Sequence, residues 1–237
     1  MREKLTFKKH TTDRIRWRCH EPLRLETFSD AVFAFALTLI VMSIEVPKSF
    51  TELTELMKGT LSFGMCFILL FTIWSSQNIF FRRYGLNDRY TTVLNGILLF
   101  ISLIYIYPLK FLSTLLLQDS YIEHGELIKR MTPAQAPALL IIYGAGYVAI
   151  YLLFFLMYKN AERHATELEF TAKELFETQT TTYVNLMSMI IGCISILLAI
   201  ILPASISGIA GFIYFLIGPT YGFWYAYRGK KSRLLFG

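Results

Sequence analysis

Charged residues are scarce in this sequence. Asp, Glu, Lys and Arg make up only 17% of its 237 residues, whereas a soluble domain usually contains about 25%. Apolar residues make up 54% of the chain, and the mean hydropathy is positive. This composition excludes an ordinary soluble domain. It predicts an integral membrane protein whose length allows about six spans joined by short loops.

Cysteine and histidine are also scarce, and neither forms a recognisable pattern. The three cysteines, Cys19, Cys66 and Cys193, lie far apart, so the sequence has neither a disulfide framework nor a CxxC metal pattern. All four histidines fall in predicted loops or tails. Their position argues against a metal site inside the membrane, and no cofactor is expected.

Groups arranged for catalysis are lacking as well. The polar residues inside the apolar segments form no nucleophile–base pair, metal cluster or phosphate-binding loop, so we predict that the protein is not an enzyme. Nucleic-acid binding is not expected, because the basic residues behind the net charge of +6 cluster beside the predicted spans. The embedded polar residues are Asp30, Thr38, Ser43, Ser62, Thr72, Gln77, Asn78, Asn95 and Ser195.

Apolar residues are grouped into long segments that predict an all-α, polytopic six-helix transmembrane subunit. The first run, 31–44, belongs to a helix that ends near Pro47, and the other spans cover 60–80, 91–117, 137–158, 183–202 and 209–227. The charged segment 159–177 is expected to extend the fourth helix beyond the membrane. We expect a basic N-terminal arm over 1–23, a six-span transmembrane domain over 24–227 and a basic tail over 228–237.

Basic residues predict the orientation of the chain. The N-terminal arm, the loop with Arg82, Arg83 and Arg89, and the tail all fall on one side of a six-span chain. The positive-inside rule makes this side cytoplasmic. Glutamates outnumber basic residues in the linker 159–177, but acidic residues weigh little in this rule. We therefore expect a multi-pass protein of the cell membrane, embedded in the lipid bilayer with both termini cytoplasmic.

The first predicted helix has two different faces. At about 100° per residue, one face carries an arginine, a threonine and apolar side chains, while the opposite face carries carboxylates. A carboxylate in a membrane helix is costly unless it is paired, so we predict that the second face packs inside its own bundle. The first face contains Arg24, Phe28, Ala31, Phe35, Thr38, Leu39 and Met42, and the second contains Glu26, Asp30, Phe33, Leu37, Ile40 and Ile44.

Several of these residues also have a simpler interpretation. Asp30 is compatible with a helix N-cap close to the membrane interface, and Arg24 with a side chain that extends to lipid headgroups. Phe35 and Met42 are compatible with ordinary helix packing. The Thr38 hydroxyl can instead bond back to a carbonyl of its own helix.

The pattern Arg24-x-x-x-Phe28-Ser29-Asp30 at the start of the first membrane helix resembles the signature of the transmembrane protein 175 family. This family comprises the lysosomal potassium channels of animals and their bacterial homologues. The resemblance covers about the first half of the chain, and beyond it only the spacing of apolar segments agrees. Further matching positions are Trp74, Phe81, Arg82, Arg83, Asp88, Asn95, Tyr107 and Pro108.

Three polar residues lie at a membrane depth that makes them possible partners of the Ser29-Asp30 pair. Trp74 and Gln77 fall near the end of the second span, and Asn95 falls near the start of the third. Both places are on the side of the membrane where the first helix begins. We expect these side chains to hold the motif inside the subunit.

The resemblance implies a potassium-permeable cation channel of the bacterial, single-repeat type. Such a subunit forms a homotetramer with its pore between the first helices, and K⁺ is the permeant ion. In the family a bulky aliphatic residue five positions after the motif aspartate forms the constriction, and Phe35 occupies that position here. Phe35, Leu39 and Met42 are therefore expected to form a hydrophobic constriction or gate. Thr38 is expected to give modest K⁺ over Na⁺ selectivity, since the filter sequence TVGYG is absent.

Two other classes of protein stay open at this point. A secondary transporter or proton-coupled cation carrier would usually show an internal repeat and helices broken at mid-membrane. No repeat of the motif occurs in the second half, and Pro108 is the only clear break. A non-conducting membrane scaffold is compatible with the same composition.

Overall fold

The structure is a computed structural model that describes residues 17–18, 21–42, 46–117, 120–123 and 126–236. Within these ranges the chain is almost entirely helical. One short antiparallel hairpin lies between the third and fourth helices, in a segment predicted as a polar loop. The helices are α1 (Arg24–Met42), α2 (Phe50–Tyr84), α3 (Arg89–Leu117), α4 (Ala136–Arg163), α5 (Ala172–Ile201), α6 (Ile209–Phe212) and α7 (Ile217–Phe236), and the strands are β1 (Ser120–Glu123) and β2 (Glu126–Lys129).

Four segments of the described chain are long and apolar enough to cross a membrane: Phe63–Tyr84, Arg89–Leu112, Pro133–Arg163 and Ala172–Ile201. They confirm an all-helical membrane fold, while the count of six spans stays a prediction. The first predicted span corresponds to α1, which has 19 residues. The last predicted span is divided, because a 3₁₀ turn over Ile213–Leu216 separates α6 from α7.

The charged segment 159–177 differs from the single extended helix predicted from the sequence. It continues α4 only as far as Arg163, and α5 then begins at Ala172. A capping box explains the new start: Thr171 accepts a hydrogen bond from the backbone N–H of Glu174, and the Glu174 carboxylate accepts one from the N–H of Thr171. The two helices therefore form an antiparallel pair at this point.

Helices α4 and α5 approach closely because each carries a glycine at their contact. A Cβ atom on Gly192 of α5 would lie 2.7 Å from Cγ2 of Val148 on α4. A Cβ atom on Gly144 of α4 would overlap Ile196 of α5 in the same way. Interiors are packed too tightly to admit such overlaps, so larger side chains at these positions would separate the two helices.

The largest group of buried apolar side chains lies between α2, α3 and α4. Its aromatic rings meet edge to face: the ring centroids of Phe80 and Tyr158 are 5.2 Å apart, and those of Tyr84 and Tyr158 are 5.7 Å apart. Such pairs are favourable beyond the area that they bury. Leu98 of α3 and Met157 of α4 complete this core and are fully buried. The core therefore fixes the ends of three helices against one another.

Ion pairs add long-range links at the same end of the bundle. Arg18 Nη2 lies 3.1 Å from Glu174 Oε2, and Arg83 Nη2 lies 3.2 Å from Glu177 Oε2. The first pair attaches the chain ahead of α1 to the start of α5, and the second attaches the end of α2 to α5. Both glutamates lie in the first two turns of α5, where the helix dipole also favours negative charge.

The connection between α2 and α3 is held by a cap and by a contact with α4. Gly85 ends α2 with φ 61°, a left-handed conformation that favours glycine. Asp88 then accepts hydrogen bonds from the N–H and the hydroxyl of Thr91, and Nδ2 of Asn160 lies 3.3 Å from both of its carboxylate oxygens. Burial raises the pKa of Asp88, but these hydrogen bonds outweigh it and hold the pKa below the usual aspartate value.

We predict that Asp88→Ala lowers the free energy of unfolding by about 1 kcal/mol or more, because it removes the N-cap of α3 and the Asn160 contact. Thermal unfolding in mild detergent measures the change. Since the pKa of Asp88 is lowered in the folded state, its stabilisation is present above the unfolded aspartate pKa. It is lost as pH falls through the folded-state value.

The matched control is Asn87→Ala, a change at the neighbouring exposed position. It should leave the unfolding temperature within experimental error. Equal losses from the two variants would show that Asp88 does not cap α3.

Candidate functional site

Helix α1 buries one face and exposes the other. Glu26, Ser29 and Ala36 are each no more than 3% exposed, whereas the Phe28 and Phe35 rings are each 60% exposed. The buried face packs on α2 and α3. Large aromatic rings exposed on one side of a helix, opposite its own bundle, indicate a surface that contacts something other than this chain.

The residues predicted to form the constriction and the selective site lie on this exposed face, as far as the structure describes them. Leu39 is 38% exposed, and Thr38 is also exposed. Arg24 begins α1 and is exposed. Met42 ends α1, but its side chain lies outside the described side chains. The roles predicted for these residues stay predictions.

The Thr38 hydroxyl makes the local contact that the simpler interpretation describes. Its Oγ1 donates to the carbonyl oxygen of Ala34 at 2.9 Å. This uses the single hydroxyl proton inside the helix, while the lone pairs of the oxygen remain available on the exposed side. A hydroxyl held in this way can accept a hydrogen bond or contact a cation.

A chain of hydrogen bonds connects α1, α2 and α3 on the buried side. Gln77 Nε2 donates to Asn95 Oδ1 at 2.7 Å, and Asn95 Nδ2 donates to Ser29 Oγ at 2.9 Å. Ser29 in turn donates to the carbonyl oxygen of Leu25 at 2.8 Å. Gln77, Asn95 and Ser29 are all fully buried. Such bonds are strengthened by the low dielectric of the interior, and breaking one leaves a costly unpaired group.

Asp30 is held by α2 rather than by its own helix. The indole N–H of Trp74 donates to Asp30 Oδ1 at 2.7 Å. Because α1 begins at Arg24, Asp30 lies well inside the helix and does not act as its N-cap. The two residues lie at one side of a cleft of about 430 Å³ between α1 and α2, which also contains Phe33 and Phe71.

Glu26 belongs to the same polar face, and no partner is predicted for it from the sequence. It is 3% exposed; Asn78 Nδ2 lies 3.4 Å from Glu26 Oε1, and the N–H of Leu23 lies 3.4 Å from Oε2. The contact between Glu26 and Asn78 has a signal in the sequence. Glu26 and Asp30 are four residues apart on α1, and Trp74 and Asn78 are four residues apart on α2, so the two pairs match on antiparallel helices.

Among the described residues, no three His, Cys, Asp or Glu side chains are grouped as they would be to hold a metal ion. The polar side chains of this region bond to one another instead. The arrangement therefore fixes the rotation of α1 about its own axis and determines which face the helix presents outward.

We predict that Trp74→Phe lowers the free energy of unfolding by about 1–3 kcal/mol, because it keeps an aromatic ring but leaves the half-buried Asp30 carboxylate without its donor. Asp30→Ala should cost a similar amount, and the double variant should cost less than the sum of the two. Unfolding in mild detergent measures all three. Trp17→Phe, the same change at a half-exposed ring, is the control, and a loss as large as that of Trp74→Phe would contradict the role assigned to Trp74.

Comparison with known proteins agrees with these features. Residues 24–108 match the sequence model of the family described as endosomal/lysosomal potassium channel TMEM175. A potassium channel of Marivirga tractuosa is 35% identical over 232 residues, covering 92% of each chain. A potassium channel of Chamaesiphon minutus is 27% identical over 146 residues, covering 58% of this chain and 64% of the relative.

A solved structure agrees over nearly the whole chain. It is the crystal structure of the potassium channel MtTMEM175 in a threonine-to-alanine variant, in complex with a nanobody–MBP fusion protein. The two chains are 32% identical with a TM-score of 0.78, over 94% of this chain and 100% of the other. The resemblance first read from the motif at 24–30 is thereby confirmed. The protein belongs to the TMEM175 family of potassium channels.

Proposed function

We propose that a homotetramer of this chain forms a potassium-permeable channel in the cell membrane, with its pore lined by the exposed face of α1. The observation that carries this proposal is the division of α1 into a hydrogen-bonded inner face and an exposed face with Phe28, Phe35 and Thr38. The names of the relatives and the structural similarity support the same function.

A single chain cannot form the pore by itself, so we propose a cyclic oligomer, with four copies as the family resemblance implies. One α1 helix cannot enclose a water-filled path, whereas copies related by cyclic symmetry can place the same face around a common axis. At 1.5 Å per residue, the 19 residues of α1 extend over roughly 28 Å, close to the thickness of the hydrocarbon core. With α1, the four apolar segments and the α6–α7 segment, the subunit would have six spans and both termini in the cytoplasm.

The composition of the exposed face determines how ions would pass. Phe35 and Leu39, with Met42 one further turn along, would form apolar rings that disfavour water at a narrow point. Thr38 lies between them and presents oxygen lone pairs outward, because its proton is donated to Ala34. A single ring of hydroxyls can replace only part of the hydration shell of K⁺. We therefore expect modest rather than strict preference over Na⁺, and no bound cofactor.

The first test of this proposal is the mass of the assembly. In mild detergent the protein should have the mass of a tetramer, measured by light scattering or native mass spectrometry, because a pore lined by α1 needs several copies of this helix around one axis. A population of monomers or dimers alone would contradict a pore on a shared axis.

The second test addresses the pore residues. Phe35→Ala should raise potassium flux in liposomes, because it widens and wets the constriction. Thr38→Ala should keep the current but lower the preference for potassium over sodium, measured from reversal potentials. Leu37→Ala is the matched control, since Leu37 points into the cleft between α1 and α2 and should act through stability only. If neither variant changed current or preference, α1 would not line the pore.

A further inference from the structure

Arg228 of α7 carries a buried positive charge. Its side chain packs against α5, and the residue is only 9% exposed. Nε donates to Thr180 Oγ1 at 2.8 Å, and Nη2 donates to the carbonyl oxygen of Phe176 at 2.5 Å. The guanidinium carbon also lies 3.5 Å from the centroid of the Phe176 ring. These contacts satisfy some of its donors, but all of them are with neutral groups.

No carboxylate neutralises Arg228 within the part of the chain that the structure describes. Two other arginines at this end of the bundle each have one: the partly buried Arg18 pairs with Glu174, and the buried Arg83 pairs with Glu177. None of the ion pairs among the described residues includes Arg228. A buried charge without a counter-ion is costly, so this site is suited to an anion from outside the chain.

A pocket next to Arg228 can accept such an anion. It has a volume of about 330 Å³ and lies between the end of α2, the start of α5 and the last turns of α7. Its surface contains two guanidinium groups and several hydroxyls but only one carboxylate among the described residues, and that carboxylate is already paired. Its lining includes Arg83, Glu177, Thr181, Tyr225, Arg228 and Ser232.

The chemistry of this lining matches a phosphate group. Guanidinium donors form charge-assisted bonds with phosphate oxygens, and hydroxyls add further donors. The aromatic side chains of Phe176 and Tyr225 supply an apolar wall beside them. A free phosphate ion would use only the polar half of such a pocket, whereas a phospholipid would also use the apolar wall.

The depth of the pocket also favours a lipid. The apolar segment of α2 ends at Tyr84, and that of α5 begins at Ala172. The pocket therefore lies where the membrane-spanning part of the bundle meets its loops. Lipid phosphates occupy this depth. Lys230, Lys231 and Arg233 follow on α7 and are exposed or at the helix surface, and clustered basic residues attract anionic headgroups.

We propose that the pocket between α2, α5 and α7 binds the phosphate of an anionic phospholipid headgroup, with Arg228 as its main ligand. Arg83 contributes from the opposite wall while it remains paired with Glu177. The bound lipid would neutralise Arg228 and fill the gap between α7 and the rest of the bundle. This site is separate from the exposed face of α1 and does not depend on how that face conducts ions.

The test is native mass spectrometry of the full chain in mild detergent, titrated separately with phosphatidylglycerol and phosphatidylcholine. We expect the wild type to retain phosphatidylglycerol in preference. Arg228→Met, which keeps the length and apolar packing of the side chain, should weaken that retention by about tenfold or more, the loss expected for a charge-assisted hydrogen bond. Arg233→Gln removes the same charge from an exposed position of α7 and should keep most of the binding.

Two further arms make the result decisive. Ser232→Glu places a carboxylate at the edge of the pocket and should also displace phosphatidylglycerol, so it tests the site even if Arg228→Met does not fold. Excess inorganic phosphate should compete only weakly with the lipid. The proposal is overturned if both variants bind phosphatidylglycerol as the wild type does, if the wild type does not distinguish the two lipids, or if inorganic phosphate alone occupies the site in place of lipid.

Discussion

The structure depends on the pairing of the polar groups that α1 carries into the apolar bundle. Ser29 meets Asn95, and Asp30 meets Trp74, through bonds of 2.9 and 2.7 Å. In a low-dielectric interior an unpaired carboxylate or amide is costly, so α1 cannot rotate about its axis without losing these partners. The orientation of the helix is therefore set from behind, by groups that need not touch an ion.

The exposed face of α1 is a consequence of that constraint. Successive residues turn by about 100°, so fixing Ser29 and Asp30 inward directs Phe28, Phe35 and Thr38 outward. The chain thereby separates two tasks on one helix. Polar groups that hold the subunit together lie on one side, and the apolar rings and the single hydroxyl assigned to the pore lie on the other.

Polar groups also connect helices at the end of the bundle where α2 ends and α5 begins. There Asp88 is bonded to Asn160 of α4, and Arg83 is paired with Glu177 of α5. Gly192 makes possible the close contact of α4 with α5. These two helices complete the bundle, in which α1 packs against α2 and α3. Arg228 is the exception in this region, since none of the ion pairs in the described part of the chain includes it.

Much of this protein can be predicted from the sequence, because the relevant signals are local. The scarcity of charge identifies a membrane protein, and the 3.6-residue period assigns Asp30 and Phe35 to opposite faces of α1. The short motif at 24–30 suffices to indicate the family. Even the contacts of Asn95 and Trp74 with the motif follow from their depth in neighbouring spans.

Only the tertiary structure decides the pairings between distant segments. Arg18 and Glu174 are 156 residues apart, and no periodicity relates them. The same holds for Asp88 with Asn160 and for the burial of Arg228 against Phe176. The charged segment 159–177 is predicted from the sequence to extend α4, yet α4 ends at Arg163 and the Thr171 capping box starts α5. Local patterns determine which residues must be buried or paired, but the partner depends on which helices become neighbours, and packing alone settles that.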